Sequence, residues 1–336
     1  MKIAVVSKLW EPTTPESTGG TGASVGYLCH ELKKMGHEVT LFASSDSTQE
    51  VKLVSVKDSG SFRSQYSEVA EFLNISQAFD KRRDFDVIHC NNEHKSLFFG
   101  AVSSTPSLHA VRYGEFFSDE LNVFERYRHL NFVGISEAVK KMLPELNWRG
   151  IVHNGLDIDK FPYNGNKEDY LLFLARLSSQ KGPDVAIRVA KKLGKKLIIA
   201  GKRADSDAAY LAEKVDPYID GEQIRYVGEV DFPTKINLYS KAACLLHPIN
   251  YIEAFGMTLI ESLACGTPVI AFDKGAISEV IETGKTGFVI SSEDEMLESI
   301  KNLAKIDPLL CRQTVEERFT VAKMAQGYEK LYKEIK

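Results

Sequence analysis

The segment 253–261 places two carboxylates on either side of a glycine, in the order Glu-Ala-Phe-Gly-Met-Thr-Leu-Ile-Glu. If Phe255 and Gly256 open a helix, Glu253 precedes that helix and Glu261 lies about one to two turns inside it. The first N–H groups of a helix lack partners, and the positive end of the helix dipole adds to their attraction for phosphate. The spacing therefore predicts a sugar-nucleotide site, whose carboxylates bind hydroxyl groups of a sugar at one end and of a ribose at the other. An amphipathic helix with solvated glutamates explains the same residues.

Two cations follow an apolar run that ends at Ala175. Arg176 and Lys181 belong to the loop Arg-Leu-Ser-Ser-Gln-Lys-Gly. Charge-assisted hydrogen bonds contribute ~1.5–3 kcal/mol each, and arginine adds a planar fork that lysine lacks. The loop suits a diphosphate, although a solvated basic loop is the alternative if it is considered alone.

A glycine-rich loop lies early in the chain, just before a helical pattern. Gly19, Gly20 and Gly22 surround Thr21, and such small residues let a phosphate or a sugar approach backbone amides. The spacing is not the G-x-G-x-x-G fingerprint of dinucleotide sites, and the long stretch before it argues against an NAD site.

Apolar runs with strand character alternate with helical patterns, which is typical of parallel βαβ units. We expect a first series of strands over residues 2–7, 38–43, 86–90 and 132–135, and a second over 170–175, 196–200, 224–227, 243–246 and 268–272. Residues 154–166 are rich in Asn, Gly, Asp and Pro and are predicted to link two domains. The prediction is an α/β chain with doubly wound domains at 1–160 and 161–310, and a helical segment 311–336 that packs back toward the first domain. Ligands of such domains bind at the carboxyl ends of the strands.

The composition is that of a globular protein. The 336 residues are 43% hydrophobic and 26% charged with a net charge of −4, which gives no general footprint for nucleic acid. Five cysteines without C-x-x-C spacing fit a reducing cytosol. The amino-terminal run has the character of a strand rather than a signal peptide, and no apolar stretch reaches the ~20 residues of a membrane span.

Several short motifs occur together in one order along most of the chain. They are Gly19-Gly20, Asp86-Val87-Ile88-His89, Asn154-Gly155-Leu156-Asp157, Ala175-Arg176-Leu177, Lys181-Gly182, Val227-Gly228-Glu229-Val230, Glu253-Ala254-Phe255-Gly256-Met257 and the run 261–271, Glu-Ser-Leu-Ala-Cys-Gly-Thr-Pro-Val-Ile-Ala. In this order and spacing the chain resembles the retaining glycosyltransferases of family 4. The resemblance implies the GT-B fold, two facing Rossmann-like domains with a central cleft. Residues 274–279 depart from the usual family pattern, so the contacts of that loop do not carry over.

The resemblance also implies roles for single residues. Those expected at the reacting sugar and diphosphate are Arg176, Lys181, Glu253 and His109. Those expected to bind the donor are Gly20, Thr21, Phe255, Gly256, Met257, Thr258, Leu259 and Glu261. By their positions, the residues that follow a likely cleft strand, Asn92, Glu93 and His94, and Tyr113 after another likely cleft segment, are expected to meet the acceptor.

The implied reaction moves a hexosyl-type sugar from a nucleotide diphosphate sugar, with UDP or GDP as carrier, to a hydroxyl of a glycan, lipid-linked or small-molecule acceptor. Neither a cofactor nor a metal is expected. Asp84-Phe85-Asp86 has the D-x-D spacing of metal-dependent transferases, but Asp86 is better explained as the start of a strand. A cytoplasmic location follows, with peripheral membrane contact through locally basic parts of the first domain as an option. A sugar-nucleotide epimerase of the same fold and a catalytically silent binding subunit are the alternatives.

Overall fold

The computed structural model describes residues 1–17, 19–47, 50–56 and 67–336. The chain forms two compact units. Unit 1 comprises Met1–Leu156 and Thr320–Lys336, and unit 2 comprises Asp157–Phe319. The first boundary falls inside the predicted linker. The predicted segment 311–336 is divided, because residues up to Phe319 belong to unit 2 and those after it to unit 1.

Unit 1 is built on a parallel sheet with seven strands among the described residues. The strands are β1 (Lys2–Val6), β2 (Glu38–Phe42), β3 (Lys52–Val54), β4 (Val87–Cys90), β5 (Ser107–Val111), β6 (Asn131–Gly134) and β7 (Trp148–Ile151). They pair in the order β3-β2-β1-β4-β5-β6-β7, so the strand order reverses direction between β1 and β4. Such a switch point is where doubly wound sheets open a crevice at their carboxyl edge.

Helices connect and cover the strands of unit 1. They are α1 (Gly20–Lys34), α2 (Glu68–Asp80), α3 (Leu97–Gly100), α4 (Ser118–Arg126) and α5 (Glu137–Met142), and the carboxyl-terminal helix Val321–Ile335, α13, also belongs to this unit. A short 3₁₀ helix, Glu93–Ser96, precedes α3. Val321 N donates to Leu156 O at 3.1 Å, which fixes the start of α13 against the end of the first part of the unit.

Unit 2 contains a second parallel sheet of six strands. They are β8 (Tyr170–Leu174), β9 (Lys196–Ala200), β10 (Ile224–Tyr226), β11 (Cys244–His247), β12 (Val269–Phe272) and β13 (Gly287–Ile290), in the order β10-β9-β8-β11-β12-β13. The switch point lies between β8 and β11. The helices of this unit are α6 (Pro183–Leu193), α7 (Ala208–Lys214), α8 (Phe232–Lys241), α9 (Met257–Ala264), α10 (Ile277–Val280), α11 (Glu293–Lys301) and α12 (Pro308–Arg318).

Burial on both faces explains why the central strands are almost entirely apolar. Residues 3–6 of β1 are fully buried, as are most residues of β8 and β11. Strands covered on both faces read as continuous hydrophobic runs, and this is the pattern from which the sequence predicts them. The predicted α/β class and the two doubly wound units are confirmed. All five cysteines are buried and free, and among the described residues no helix has the length and apolar character of a membrane span.

Candidate functional site

The loop after β8 carries both cations that the sequence predicts for phosphate. Its backbone is held on two sides, because Leu177 N donates to Lys202 O at 2.8 Å and Asn250 N donates to Gln180 O at 2.7 Å. Arg176 is exposed, and among the described residues it forms neither a hydrogen bond nor an ion pair. A guanidinium at the carboxyl end of a central strand, on a fixed loop, is therefore available to an anion.

Lys181 and Glu253 meet through Tyr251. The Lys181 ammonium donates to the Tyr251 hydroxyl, and this hydroxyl donates to Glu253 Oε2. Lys181 Nζ lies 3.7 Å from Glu253 Oε2 and 4.3 Å from the centre of the Tyr251 ring. His247 Nε2 lies 3.5 Å from the same carboxylate oxygen. We call these four residues, Lys181, His247, Tyr251 and Glu253, the lysine–glutamate cluster.

Burial and charge act in opposite directions on the acid of this cluster. Burial acts to raise the pKa of Glu253, but the nearby His247 ring and the charge of Lys181 outweigh it and lower the pKa to about 2. Burial lowers the pKa of Lys181, while the charge of Glu253 partly opposes that change. Burial also lowers the pKa of His247. Glu253 is consequently an ionised acceptor of hydrogen bonds at neutral pH.

Helix α9 begins four residues after Glu253 and offers free backbone donors. Gly256 is its N-cap with a left-handed φ of 90°, and no side chain caps the helix. The N–H groups of Met257 and Thr258 have no acceptor among the described residues. Leu259 N already donates to Gly256 O at 3.1 Å, and the Phe255 side chain is 1% exposed. Met257 and Thr258 are thus the predicted donor-binding positions whose amides remain open to phosphate.

Glu261 lies inside α9, where the sequence places it, and is 7% exposed. Its Oε1 accepts a hydrogen bond from Lys235 Nζ at 2.8 Å, and its Oε2 accepts one from Tyr239 OH at 3.1 Å. Each carboxylate oxygen has a second lone pair, so a ribose hydroxyl can be added to these contacts. The ribose contact of Glu261 stays a prediction, since a buried ion pair explains the same arrangement.

The loop after β12, which departs from the family pattern, is tied to Glu253. Ala276 N donates to Glu253 O at 2.9 Å. Gly275 has a left-handed φ of 67°, and a side chain there would overlap the backbone of Glu253. Asp273 and Lys274 are exposed and line a cavity of about 530 Å³ together with residues of the loop that carries Lys181.

In unit 1, helix α1 begins at Gly20, where an amide contact to the diphosphate is predicted. Gly19 is the N-cap, without a capping side chain of its own. Glu11 Oε1 accepts a hydrogen bond from Gly22 N at 2.9 Å, and a side chain at Gly19 would overlap the Glu11 carboxylate. The chain's own carboxylate therefore occupies the anion position at this helix end. The roles of Gly20 and Thr21 stay predictions.

Two of the predicted acceptor residues directly follow β4. Asn92 is 1% exposed, and its Nδ2 donates to Ser7 O at 3.2 Å and to Glu71 Oε1. Glu93 has a left-handed φ of 46° and forms an ion pair with Lys8, whose side chain is 7% exposed. A non-glycine residue in this conformation costs ~1–3 kcal/mol and persists where its surroundings hold it. The ion pair with Lys8 fixes the Glu93 carboxylate at the carboxyl edge of the sheet.

The other two predicted acceptor residues, His94 and Tyr113, are both within the electrostatic reach of Glu120. His94 Nδ1 lies 3.2 Å from Glu120 Oε1, and burial lowers the pKa of His94. Burial raises the pKa of Tyr113, and the charges of Glu93 and Glu120 raise it further. Asn92, Glu93 and His94 are consecutive, and the charge of Glu93 reaches Tyr113; the acceptor role of these four residues stays a prediction.

His109 has the surroundings of a structural side chain. It lies in the middle of β5 and is 2% exposed. Its Nδ1 and Nε2 each lie 2.8 Å from a serine hydroxyl, those of Ser96 and Ser107. Burial lowers its pKa to about 3. With both ring nitrogens occupied and the ring inside the sheet, this geometry does not support the predicted contact with the transferred sugar.

Asp86 lies just before β4, as the strand interpretation predicts, and its carboxylate binds groups of the protein itself. Its Oδ2 accepts a hydrogen bond from Lys2 N at 2.8 Å, and its Oδ1 lies 2.8 Å from Lys336 Nζ. Over the described ranges, no group of three or more His, Cys, Asp or Glu side chains is arranged to hold a metal ion.

Sequence reasoning missed Tyr251, which joins the two charges of the lysine–glutamate cluster. One signal was available: in an extended segment residues two apart point the same way, and Tyr251 precedes Glu253 by two positions. It also missed Lys8 and Glu120, because their partners, Glu93 and His94, lie in another element, the 3₁₀ helix Glu93–Ser96, and no local pattern marks such pairs.

Two family models match adjacent parts of the chain. The model described as Glycosyltransferase Family 4 matches residues 18–160, and the model described as Glycosyl transferases group 1 matches residues 157–317. An uncharacterized glycosyltransferase of Methanocaldococcus jannaschii is 25% identical over 333 residues, which cover 84% of this chain and 83% of that protein.

Solved structures with the same architecture cover nearly the whole chain. Sucrose-phosphate synthase of Thermosynechococcus elongatus superposes with a TM-score of 0.81 at 18% identity, covering 99% of this chain and 98% of that one. HepE of Anabaena, in complex with UDP and glucose, superposes with a TM-score of 0.77 at 18% identity, covering 99% of this chain and 100% of that one. At this identity the likeness establishes the GT-B fold.

Proposed function

Because the chain belongs to glycosyltransferase family 4, we propose that it transfers a hexosyl-type sugar from a nucleotide diphosphate sugar to a hydroxyl group, with retention of configuration and without a metal. The acceptor is a glycan, a lipid-linked sugar or a small molecule. The observation that carries the proposal is that unit 2 contains three features together: an exposed Arg176, the lysine–glutamate cluster and the open N-terminus of α9.

Each part of this arrangement matches a charge that the reaction develops. When the bond between the anomeric carbon and the phosphate oxygen breaks, its electron pair stays on the diphosphate. Fixed cations and helix-end amides directed at that group lower the barrier. Arg176, Lys181 and the N–H groups of Met257 and Thr258 are the donors for the diphosphate. Lys181 has three N–H donors, so the contact with Tyr251 leaves it able to bind phosphate.

Glu253 is proposed to bind hydroxyls of the transferred sugar. Its pKa of about 2 keeps it ionised, and an ionised carboxylate accepts hydrogen bonds without donating one. It is not needed as a nucleophile. The departing phosphate oxygen takes the proton of the acceptor hydroxyl, while the acceptor oxygen forms the new bond on the face that the phosphate leaves.

UDP is the proposed carrier, since the structural neighbour from Anabaena was solved with UDP. A thermal-shift comparison of UDP, GDP and ADP and their sugar conjugates tests this choice. A ligand that binds the folded state at a hundred times its Kd raises the melting temperature by on the order of 5 °C. We expect UDP to give this shift in the wild type and Arg176→Ala to reduce it.

Arg225→Ala is the matched control, because Arg225 is an exposed arginine on β10, away from the β8 loop. It is expected to keep the full shift. If no nucleotide stabilises the folded wild type, the chain is not a nucleotide-sugar enzyme. Nucleotide release from the donor without a sugar acceptor, together with an epimerised product, would instead favour the epimerase alternative.

A further inference from the structure

The carboxyl ends of β1, β4 and β5 bring together side chains of unit 1 that we call the edge cluster: Lys8, Trp10, Asn92, Glu93, Tyr113 and Glu120. β1, β4 and β5 are neighbours in the sheet. Lys8 pairs with Glu93 and lies 4.2 Å from the centre of the Trp10 ring. The charges of Glu93 and Glu120 both act on Tyr113. Trp10, Lys8 and Glu93 are thus in contact at the switch point of the sheet, and Tyr113 lies where the charges of Glu93 and Glu120 reach it.

The lysines of this region already have partners. Lys8 is buried against Glu93, and Lys95 lies 3.8 Å from Glu68. His94 pairs with Glu120, and its lowered pKa favours the neutral ring. A phosphate bound to Lys8 or Lys95 would therefore share that cation with a carboxylate of the protein.

Arg112, the first residue after β5, is also engaged. It is 7% exposed. It donates to Asn91 Oδ1 at 2.6 Å, Asn154 Oδ1 at 2.9 Å, Tyr328 OH at 3.2 Å and Ser24 Oγ at 3.4 Å. A guanidinium has five N–H donors, so most of its donor capacity is directed at neutral oxygens of the protein itself.

Lys8 balances the charge of Glu93, but an anionic ligand would also meet the carboxylate of Glu120, whose partner His94 is neutral. Glu93 and Glu120 have side chains that are 11% and 16% exposed, and Glu71 is 2% exposed behind Asn92. A phosphate ester carries about −1.5 to −2 charges at neutral pH. Like charges in a partly buried site repel strongly, because the local dielectric is low.

A ligand with hydroxyl groups, by contrast, would meet hydrogen-bond acceptors and the flat ring of Trp10 in the edge cluster. The two carboxylates accept hydrogen bonds from hydroxyls. Asn92 Oδ1 is buried and has no hydrogen-bond partner among the described residues, and a buried polar atom of this kind calls for a ligand or a water. Trp10 is 45% exposed, and its ring can cover the C–H face of a sugar.

We infer that the acceptor is an uncharged polyhydroxylated ring, a sugar or a cyclitol without phosphate, which the edge cluster binds through hydroxyl groups and Trp10. The inference rests on the proposed function, and it adds the chemical class of the acceptor and the residues that select it.

Ligand-observed NMR titration of the wild type with saturating UDP tests the inference on matched pairs: glucose and glucose 6-phosphate, mannose and mannose 6-phosphate, myo-inositol and inositol 1-phosphate. In at least one pair the Kd of the neutral member is expected to be lower than that of its phosphorylated partner by a factor of about ten or more. Trp10→Ala should raise that Kd about tenfold. Glu120→Gln should reduce the difference between the Kd values of the neutral and the phosphorylated member of that pair.

Tyr218→Ala is the matched control, because Tyr218 is 41% exposed and has Lys191 Nζ 4.9 Å from its ring, but lies in unit 2. It should leave the Kd unchanged. Tighter binding of a phosphorylated member, an unchanged Kd in Trp10→Ala, or no binding of any neutral compound would each overturn the inference. If none of UDP, GDP and ADP stabilises the wild type, the proposed function fails instead, and the two failures are thereby separated; if GDP or ADP does so in place of UDP, that nucleotide replaces UDP in the titration.

Discussion

Lys181 and Glu253 stabilise each other at a place where neither charge would be stable alone. Their side chains are 22% and 14% exposed, and Tyr251 bridges them by hydrogen bonds. Removing one partner of a buried ion pair costs ~3–5 kcal/mol, because the other charge is left unpaired. The proposed donor site in unit 2 is therefore set before a ligand arrives, which is the arrangement that electrostatic catalysis requires.

Replacement of Glu253 by glutamine should change the pH profile in a defined direction. Burial lowers the pKa of Lys181, and the negative charge of Glu253 opposes that change. Glu253→Gln removes the opposing charge, so the pKa of Lys181 falls further and the lysine loses its proton at a lower pH. The alkaline limb of kcat/KM, measured between about pH 7 and 10, should move to lower pH.

Glu222→Gln is the control for this measurement, because Glu222 is an exposed glutamate of the same unit. Its profile should match that of the wild type. An alkaline limb that stays in place in Glu253→Gln, or moves to higher pH, would show that Lys181 is not the group that titrates.

The types and loop positions of Arg176, Lys181 and Glu253 could be predicted from the sequence, because each follows an apolar run that ends at the carboxyl edge of a sheet. Their contacts could not. The bridge through Tyr251 depends on the approach of two loops, of which one is held by the bond from Asn250 N to Gln180 O. That approach is a tertiary feature with no local pattern.

At the scale of elements, β5 illustrates what a buried polar residue does to a strand pattern. Ser107 and His109 interrupt the apolar run, and the sequence does not predict the strand by its pattern. In the structure the polar groups of Ser107 and His109 have hydrogen-bond partners, because the His109 ring lies between the hydroxyls of Ser96 and Ser107. A side chain on Gly100, in α3, would overlap that ring. A polar pair of this kind is compatible with a core strand when every donor and acceptor is matched.

The buried histidine of β5 should make unit 1 sensitive to acid. The pKa of His109 falls from 6.5 to about 3 because of burial. Below pH 6.5 the unfolded chain takes up a proton that the folded chain does not, so the free energy of unfolding falls as the pH drops toward 3. This residue contributes at most about 1.4 kcal/mol per pH unit, and His109→Gln should remove its share of the slope.

Urea unfolding followed by tryptophan fluorescence at several pH values measures this effect. Both tryptophans, Trp10 and Trp148, belong to unit 1, so the signal reports the unit that contains His109. His129→Gln, at an exposed histidine, should keep the slope of the wild type. An equal slope in His109→Gln would mean that His109 is not the source of the acid sensitivity.

At the scale of the whole molecule, each unit places its functional side chains beside the switch point of its own sheet. In unit 2, Arg176 follows β8 and Glu253 follows β11, the two strands that flank the switch. In unit 1, Lys8 follows β1 and Glu93 follows β4 in the same way. Both units thus place polar side chains at the same kind of sheet edge, and we propose that the edge of unit 2 binds the diphosphate and that of unit 1 the hydroxyl groups of the acceptor.

The sequence predicts this organisation well because parallel strands covered on both faces leave continuous apolar runs. It does not predict how the carboxyl-terminal segment divides. The boundary between the units falls between Phe319 and Thr320, where the sequence has no glycine or proline to mark it. Helices α12 and α13 lie on either side of this boundary, in different units. The assignment depends on tertiary contacts such as the bond from Val321 N to Leu156 O.

Turnover of the donor by the wild type and Arg176→Ala tests the central claim most directly. With the nucleotide sugar that stabilises the protein, release of the nucleoside diphosphate should proceed in the wild type and in Arg225→Ala. It should fall by ~10²–10³-fold in kcat in Arg176→Ala, as expected for the loss of one preorganised donor to the leaving group. Wild-type turnover in Arg176→Ala, or no turnover in a wild type that binds the donor, would contradict the proposal that unit 2 activates a nucleotide sugar.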